Sequence, residues 1–208
     1  MNLDVNHGPK PTAAATHVAS GGAGTVRRVT PLLPVFDLDG TLLDSDEALV
    51  AAFVALGVPR GSISFGHVIG DECARLGLDV LEYVDRYDTT IVQPFAGTAA
   101  LIAQLDRWAL CSNKHPVSGS AELARLGWSP EVALFTDAFD GPKRLEPVLE
   151  RLGVRSSEVI FIGDTAHDRS CAVAAGAAFA LAGWNPRAVT AEGDVVLRRP
   201  GDLLQLLG

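Results

Sequence analysis

The chain has 208 residues, and its 17 Lys and Arg against 25 Asp and Glu leave a formal net charge of −8. That length supports one sizeable core with a small insertion rather than two large domains. The acidic balance argues against a nucleic-acid backbone or an anionic membrane surface as partner, so an anionic ligand would need local positive charge or a metal.

Residues 1–30 are dominated by Pro, Thr, Ala, Gly and His, with Gly21-Gly22-Ala23-Gly24 near their end and no helical or strand periodicity. Such a segment cannot bury enough apolar surface to offset its ordering entropy and is expected to be a disordered extension. Leu32–Phe36 then reads as an apolar strand ending at Asp37. Helices are predicted at Asp46–Leu56, Phe65–Leu76 and Asp79–Val92, with Gln93-Pro94 as the breaker. Further on, Gly97–Leu105 reads as a helix, Trp108–Cys111 as a strand, and Pro116–Leu126 as a helix with Pro at a favourable first position. Ala133–Phe135 is a short strand, Arg144–Leu152 a helix, Val159–Ile162 a strand and Asp168–Ala175 a helix closed by Gly176. Ala178–Leu181 and Val195–Leu197 are the last strands, and Leu203–Leu207 a helical turn.

Apolar strands alternating with helices predict an α/β fold: a doubly wound, Rossmann-like parallel sheet covered on both faces. The helix-only stretch breaks that alternation. It divides the chain into a core of residues 31–44 and 95–208 and a reduced, all-helical cap of residues 45–94 inserted after the first strand. The cysteines, Cys73, Cys111 and Cys171, are too few and scattered for a disulfide framework or a zinc cluster, and free thiols suit a reducing compartment. The longest uncharged run, Ser170 to Pro186, is broken by Gly176 and Gly183, so no membrane span is expected. The apolar stretch after Arg27-Arg28 holds two prolines and stops at Asp37, which argues against export and for a cytoplasmic location.

Open α/β sheets bind ligands beyond the carboxyl ends of their strands. Polar residues collect there: Asp37-Leu38-Asp39-Gly40-Thr41, Ser112-Asn113-Lys114, Lys143 in a following loop, and Gly163-Asp164-Thr165-Ala166-His167-Asp168. Taken singly, Asp-Gly is a turn signal, Asp168 a helix cap and Lys143 a surface lysine. Together the carboxylates form a cluster that a hard divalent cation would neutralise, and oxygen ligands of this kind favour Mg²⁺. A metal with one lysine, one hydroxyl and the backbone amides at the start of the Pro116 helix makes a phosphate-shaped site.

Asp37-x-Asp39-Gly40-Thr41, Ser112-Asn113, Lys143 and Gly163-Asp164-x-x-x-Asp168 resemble the four ordered motifs of haloacid-dehalogenase-superfamily phosphatases. A helical cap directly after the first motif, Gln93-Pro94-Phe95-Ala96-Gly97 and Ala175-Gly176-Ala177 are similar to the phosphoglycolate-phosphatase-like branch. The resemblance implies a Mg²⁺-dependent phosphatase that hydrolyses a small phosphorylated metabolite. In it Asp37 would be the nucleophile and Asp39 the acid and base. Asp37, Asp164, the Asp39 carbonyl and Asp168 (directly or through water) would hold Mg²⁺. Thr41, Ser112 and Asn113 would sit on the phosphoryl group, with Lys143 compensating charge. A phosphomutase would need a cap with substrate-gripping polar groups, and this one offers Arg60, His67, Arg75 and Tyr83. A non-catalytic binding protein would have no reason to keep so costly a set of carboxylates. Arg60, Arg75, His115 and Trp184 are candidate specificity residues, and the oligomeric state is not legible.

Overall fold

A computed structural model describes Met1, residues 32–64 and residues 68–207. The expected extension, His67 and the start of the Phe65–Leu76 helix lie outside the described residues.

In chain order the strands are β1 (Leu33–Phe36), β2 (Leu43–Asp44), β3 (Gln93–Pro94), β4 (Ala109–Cys111), β5 (Val132–Leu134), β6 (Val159–Gly163), β7 (Ala178–Ala182) and β8 (Val195–Leu197). The helices are α1 (Asp46–Ala55), α2 (Ile69–Arg75), α3 (Val80–Arg86), α4 (Thr98–Ile102), α5 (Pro116–Leu126), α6 (Glu146–Leu152), α7 (Ala166–Ala175) and α8 (Leu204–Leu207). Six strands form one parallel sheet in the order β5-β4-β1-β6-β7-β8. β1 lies inside, where the winding reverses, and this is the switch point at which open sheets place their ligands.

Burial on both faces follows from strand alternation. Val35, Cys111, Leu134, Val159 and Phe161 pack on one side against Val148 and Leu152 of α6 and Ala172 of α7. Their neighbours Phe36, Leu110, Ile160 and Ile162 point the other way, onto Leu101 and Ile102 of α4 and Leu123 of α5. Each fully buried Phe or Ile contributes about 1.5–3 kcal/mol. Continuous apolar strands are the cost of having no wet face.

The segment between β1 and α4 contains α1, α2 and α3, whose shared interior includes Phe53, Cys73, Tyr83 and Tyr87. The Phe53 and Tyr83 rings lie 4.4 Å apart. Two differences from expectation stand out here. Gln93-Pro94, read as a breaker, is a strand: β3 pairs antiparallel with β2, Leu43 opposite Pro94 and Asp44 opposite Gln93. β2 and β3 thus clamp together the two ends of the segment that carries α1, α2 and α3. α3 also stops at Arg86, six residues before the expected end at Val92. Tyr87 turns inward to a buried polar cluster, and Asp88 caps the turn by accepting from the amide and hydroxyl of Thr90 at 2.8 and 2.6 Å.

Candidate active site

The first acidic pair sits where β1 runs out of sheet. The Asp37 amide still donates to the Ile162 carbonyl at 2.9 Å, and the chain then turns sharply, with the Leu42 and Leu43 amides both donating to the Leu38 carbonyl. Gly40 makes the turn possible with φ +77°. Only glycine fits for a second reason: a Cβ there would lie 2.4 Å from Asp164 Oδ2.

Asp164 follows β6 and is held from two sides. The Thr41 hydroxyl donates to its Oδ1 at 3.1 Å, and Asn185 Nδ2 donates to its Oδ2 at 2.8 Å. Asp168 stands one helical turn on, on α7, where it completes a reciprocal cap with Thr165. The Thr165 amide and hydroxyl donate to Asp168 Oδ2 at 2.9 and 2.6 Å. Gly163 has no side chain because a Cβ would meet that of Asp168 at 2.3 Å.

Asp37, Asp164 and Asp168 each present an oxygen, all within 4.8 Å of one another. Burial pushes the Asp37 carboxyl up to about 6 against the pull of Lys143, with the Asp168 charge adding to the rise. Burial, then the charges of Asp37 and Asp168, push Asp164 up to about 7. The Lys143 ammonium bridges Asp37 Oδ1 at 2.7 Å and Asp168 Oδ1 at 2.6 Å. Burial disfavours its charge, but Asp168 and Asp37 outweigh that and raise its proton affinity. Among the described residues, neither bridged oxygen has a hydrogen-bond partner beyond that ammonium. One ammonium facing three crowded carboxylates leaves negative charge uncompensated, and the donor set is all oxygen. These residues fit a hard divalent cation such as Mg²⁺.

The other predicted residues divide. Ser112 is buried at the end of β4 and Asn113 follows it, both lining the same cavity as Asp37 and Asp164. The Asn113 side chain accepts from the Lys143 amide at 2.7 Å, so it also braces the lysine's loop. Thr41, expected on the phosphoryl group, is wholly buried with its hydroxyl on Asp164, so it supports an acid of the cluster instead. Asp39 lines the same cavity, and its Oδ1 accepts from the Lys114 ammonium at 2.7 Å. Trp184 donates its indole N–H to the Thr41 carbonyl at 2.8 Å. Arg60 and Arg75 are tied to Glu47 and Glu72.

Sequence reasoning missed two residues that hold the site together. Asn185, in the loop after β7, joins the Gly40 carbonyl at 2.9 Å to Asp164. Lys114 stands in the Ser112-Asn113-Lys114 run that the sequence places beyond β4, but nothing local in the sequence gives it a role; in the structure its ammonium meets Asp39. The cavity over these groups measures about 360 Å³. Its lining also includes Leu49 and Phe53 of α1, Ile69 of α2 and Tyr83 of α3.

The model of the haloacid dehalogenase-like hydrolases matches residues 34–176, from β1 through α7. The chain belongs to that family. Among curated haloacid dehalogenase-like relatives, a phosphoglycolate phosphatase of Xanthomonas campestris is 27% identical, over 83% of this chain and 95% of its own. A phosphoglycolate phosphatase of Pectobacterium atrosepticum is 30% identical, over 83% and 91%. An N-acetylmuramic acid 6-phosphate phosphatase of Pseudomonas aeruginosa is 24% identical, over 83% and 93%. Among solved structures, a hydrolase from Pseudomonas syringae superposes with a TM-score of 0.66 at 22% identity, covering 84% of this chain and 96% of that one. Through these relatives the chain falls in the phosphoglycolate-phosphatase-like branch, and it shares the α/β core of the solved structure.

Proposed function

We propose that the protein is a Mg²⁺-dependent phosphatase that hydrolyses a small phosphate monoester through a phosphoryl group carried on Asp37. The observation that carries this reading is the convergence of Asp37, Asp164, Asp168 and Lys143 at one rim. Mg²⁺ would be held by Asp37, Asp164 and the Asp39 carbonyl, with Asp168 next to it. When bound, the metal would screen the anionic ester and keep Asp37 ionised.

In the first step Asp37 attacks phosphorus, the bond to the ester oxygen breaks, and Asp39 protonates the departing alcohol. In the second, water attacks the phosphoryl group and gives its proton to Asp39, and the bond to Asp37 breaks to release inorganic phosphate. Lys143 offsets charge on Asp37 and the phosphoryl oxygens, while Ser112 and Asn113 grip those oxygens. Such transfer needs mostly positioning and charge stabilisation. Residues 45–94 would act as the cap over a core of residues 31–44 and 95–208, and a cavity of about 360 Å³ suits a small phosphorylated metabolite. The phosphatase names of the relatives support an ester of this kind. Free cysteines suit a reducing, cytoplasmic setting. A phosphomutase would need free gripping groups in the cap, where Arg60 and Arg75 are already paired.

The test is release of phosphate from p-nitrophenyl phosphate with Mg²⁺ or with EDTA. Turnover is expected only with the metal, and Asp37→Asn is expected to lower it by more than about 10³-fold while leaving the circular dichroism spectrum unchanged. Wild-type-like turnover in that variant would remove Asp37 from the nucleophile's role.

A further inference from the structure

Lys114 is almost wholly buried, and the reaction as described does not use it. Its ammonium makes three close contacts to three different parts of the fold. It lies 2.7 Å from Asp39 Oδ1, 2.8 Å from the Tyr87 hydroxyl and 3.0 Å from Glu122 Oε2. The Tyr87 hydroxyl in turn donates to Glu122 Oε1 at 2.8 Å. Glu122, on α5, is completely buried, and among the described residues Lys114 and Tyr87 are the groups that offset the desolvation cost of its carboxyl. A side chain of this kind is not surface decoration. Removing Lys114 or the Tyr87 hydroxyl takes one partner from the buried Glu122 carboxyl.

The position of the cluster gives it a use. Asp39 is held through Oδ1 by Lys114, and it lines the cavity it shares with Asp37. Tyr87 belongs to the inserted segment, one residue beyond α3, whereas Lys114 and Glu122 belong to the core. The seating of the insertion is thus connected, through a single hydroxyl and a single ammonium, to the orientation of the Asp39 carboxylate.

We propose that Lys114 is a positioning residue for the second step: it fixes the Asp39 carboxylate where it takes a proton from the attacking water, and Tyr87 sets Lys114 only when the insertion is seated on the core. The proposal rests on the phosphatase reading above. In the step concerned, a bond forms between the water oxygen and phosphorus, the bond from phosphorus to Asp37 breaks, and the water proton passes to Asp39. A carboxylate free to rotate would meet that water in few of its orientations, and loss of alignment of this kind costs about 10²-fold. The first step on p-nitrophenyl phosphate makes no such demand, because p-nitrophenolate leaves without a proton.

Pre-steady-state release of p-nitrophenolate separates the two steps. With Lys114→Met in saturating Mg²⁺, a rapid burst of about one equivalent per protein is expected, followed by a steady rate about 10–100-fold below wild type, with kcat and KM falling together. Tyr87→Phe keeps the ring and removes only the hydroxyl. It is expected to give the same pattern with a smaller loss, and it decides the matter if Lys114→Met does not fold. Burst and steady phases slowed by the same factor in the folded variant would mean a general structural role and would overturn the proposal, as would a wild-type steady rate. If wild type itself releases no p-nitrophenolate with Mg²⁺, the phosphatase reading falls and takes this one with it. An active wild type with a flat variant response sinks the positioning role alone.

Discussion

Gly40 carries two constraints on one atom that is not there. Its φ of +77° is strained for any residue with a Cβ, and that Cβ would press into the Asp164 carboxylate. The conformational term alone is worth about 1–2 kcal/mol. Gly40→Ala is therefore expected to lower stability in urea by at least about 1 kcal/mol and to weaken Mg²⁺ binding, because Asp164 must move to make room. A variant with unchanged Mg²⁺ affinity would show that Asp164 can shift without cost to the metal site. At this scale much of the site was legible. Asp37, Asp164, Asp168 and Lys143 fall at strand ends or in the loops after them, where fold class alone places ligands. What could not be read was which way a side chain turns. Thr41 and Asp39 sit within one tight turn, yet one points to Asp164 and the other to Lys114. Both partners are distant in sequence, and no local pattern encodes them.

Element boundaries were most legible where local chemistry fixes both ends. α5 occupies the expected span because Pro116 fits its first turn and Gly127 closes it in the left-handed conformation. α3 was overextended because its apolar spacing continues past Arg86, while the tertiary pull on Tyr87 ends the helix. β2 and β3 are two residues each, too short for any periodicity, and they exist only because their pairing closes the base of the insertion. The loop after β7 was silent for the same reason, although it braces the site. Asn185→Ala would leave the buried Gly40 carbonyl and Asp164 Oδ2 each without this donor. A stability loss of about 1–3 kcal/mol is expected in chemical denaturation. Supporting groups of this kind typically change metal affinity about 10–100-fold, so a Mg²⁺ titration of the same variant should shift accordingly. Unchanged affinity would limit Asn185 to a role in the fold.

Across the whole molecule, the carboxylate cluster is expected to make stability depend on pH and on a bound cation. Asp164 has an ordinary value of 3.8 and is raised to about 7 in the folded chain. Between those values the folded state holds the proton more tightly than the unfolded state. Stability contributed by this site is therefore present below pH 3.8 and declines as pH rises towards 7. Asp37, raised to about 6, acts in the same direction. In EDTA, the wild type is expected to lose more stability than Asp164→Asn as pH rises from about 4 to 7, because the amide has no proton to release. Mg²⁺ should reverse the penalty at neutral pH by binding only the folded cluster, adding about 2.7 kcal/mol when present at a hundred times its dissociation constant. Thermal melts with and without the metal read both effects. The wild type should gain markedly in Tm at pH 7, and Asp164→Asn should lose most of that gain. A variant that kept the full Mg²⁺ shift would place the ion elsewhere than among Asp37, Asp164 and Asp168, and with it the origin of the charge balance on which the phosphoryl chemistry depends.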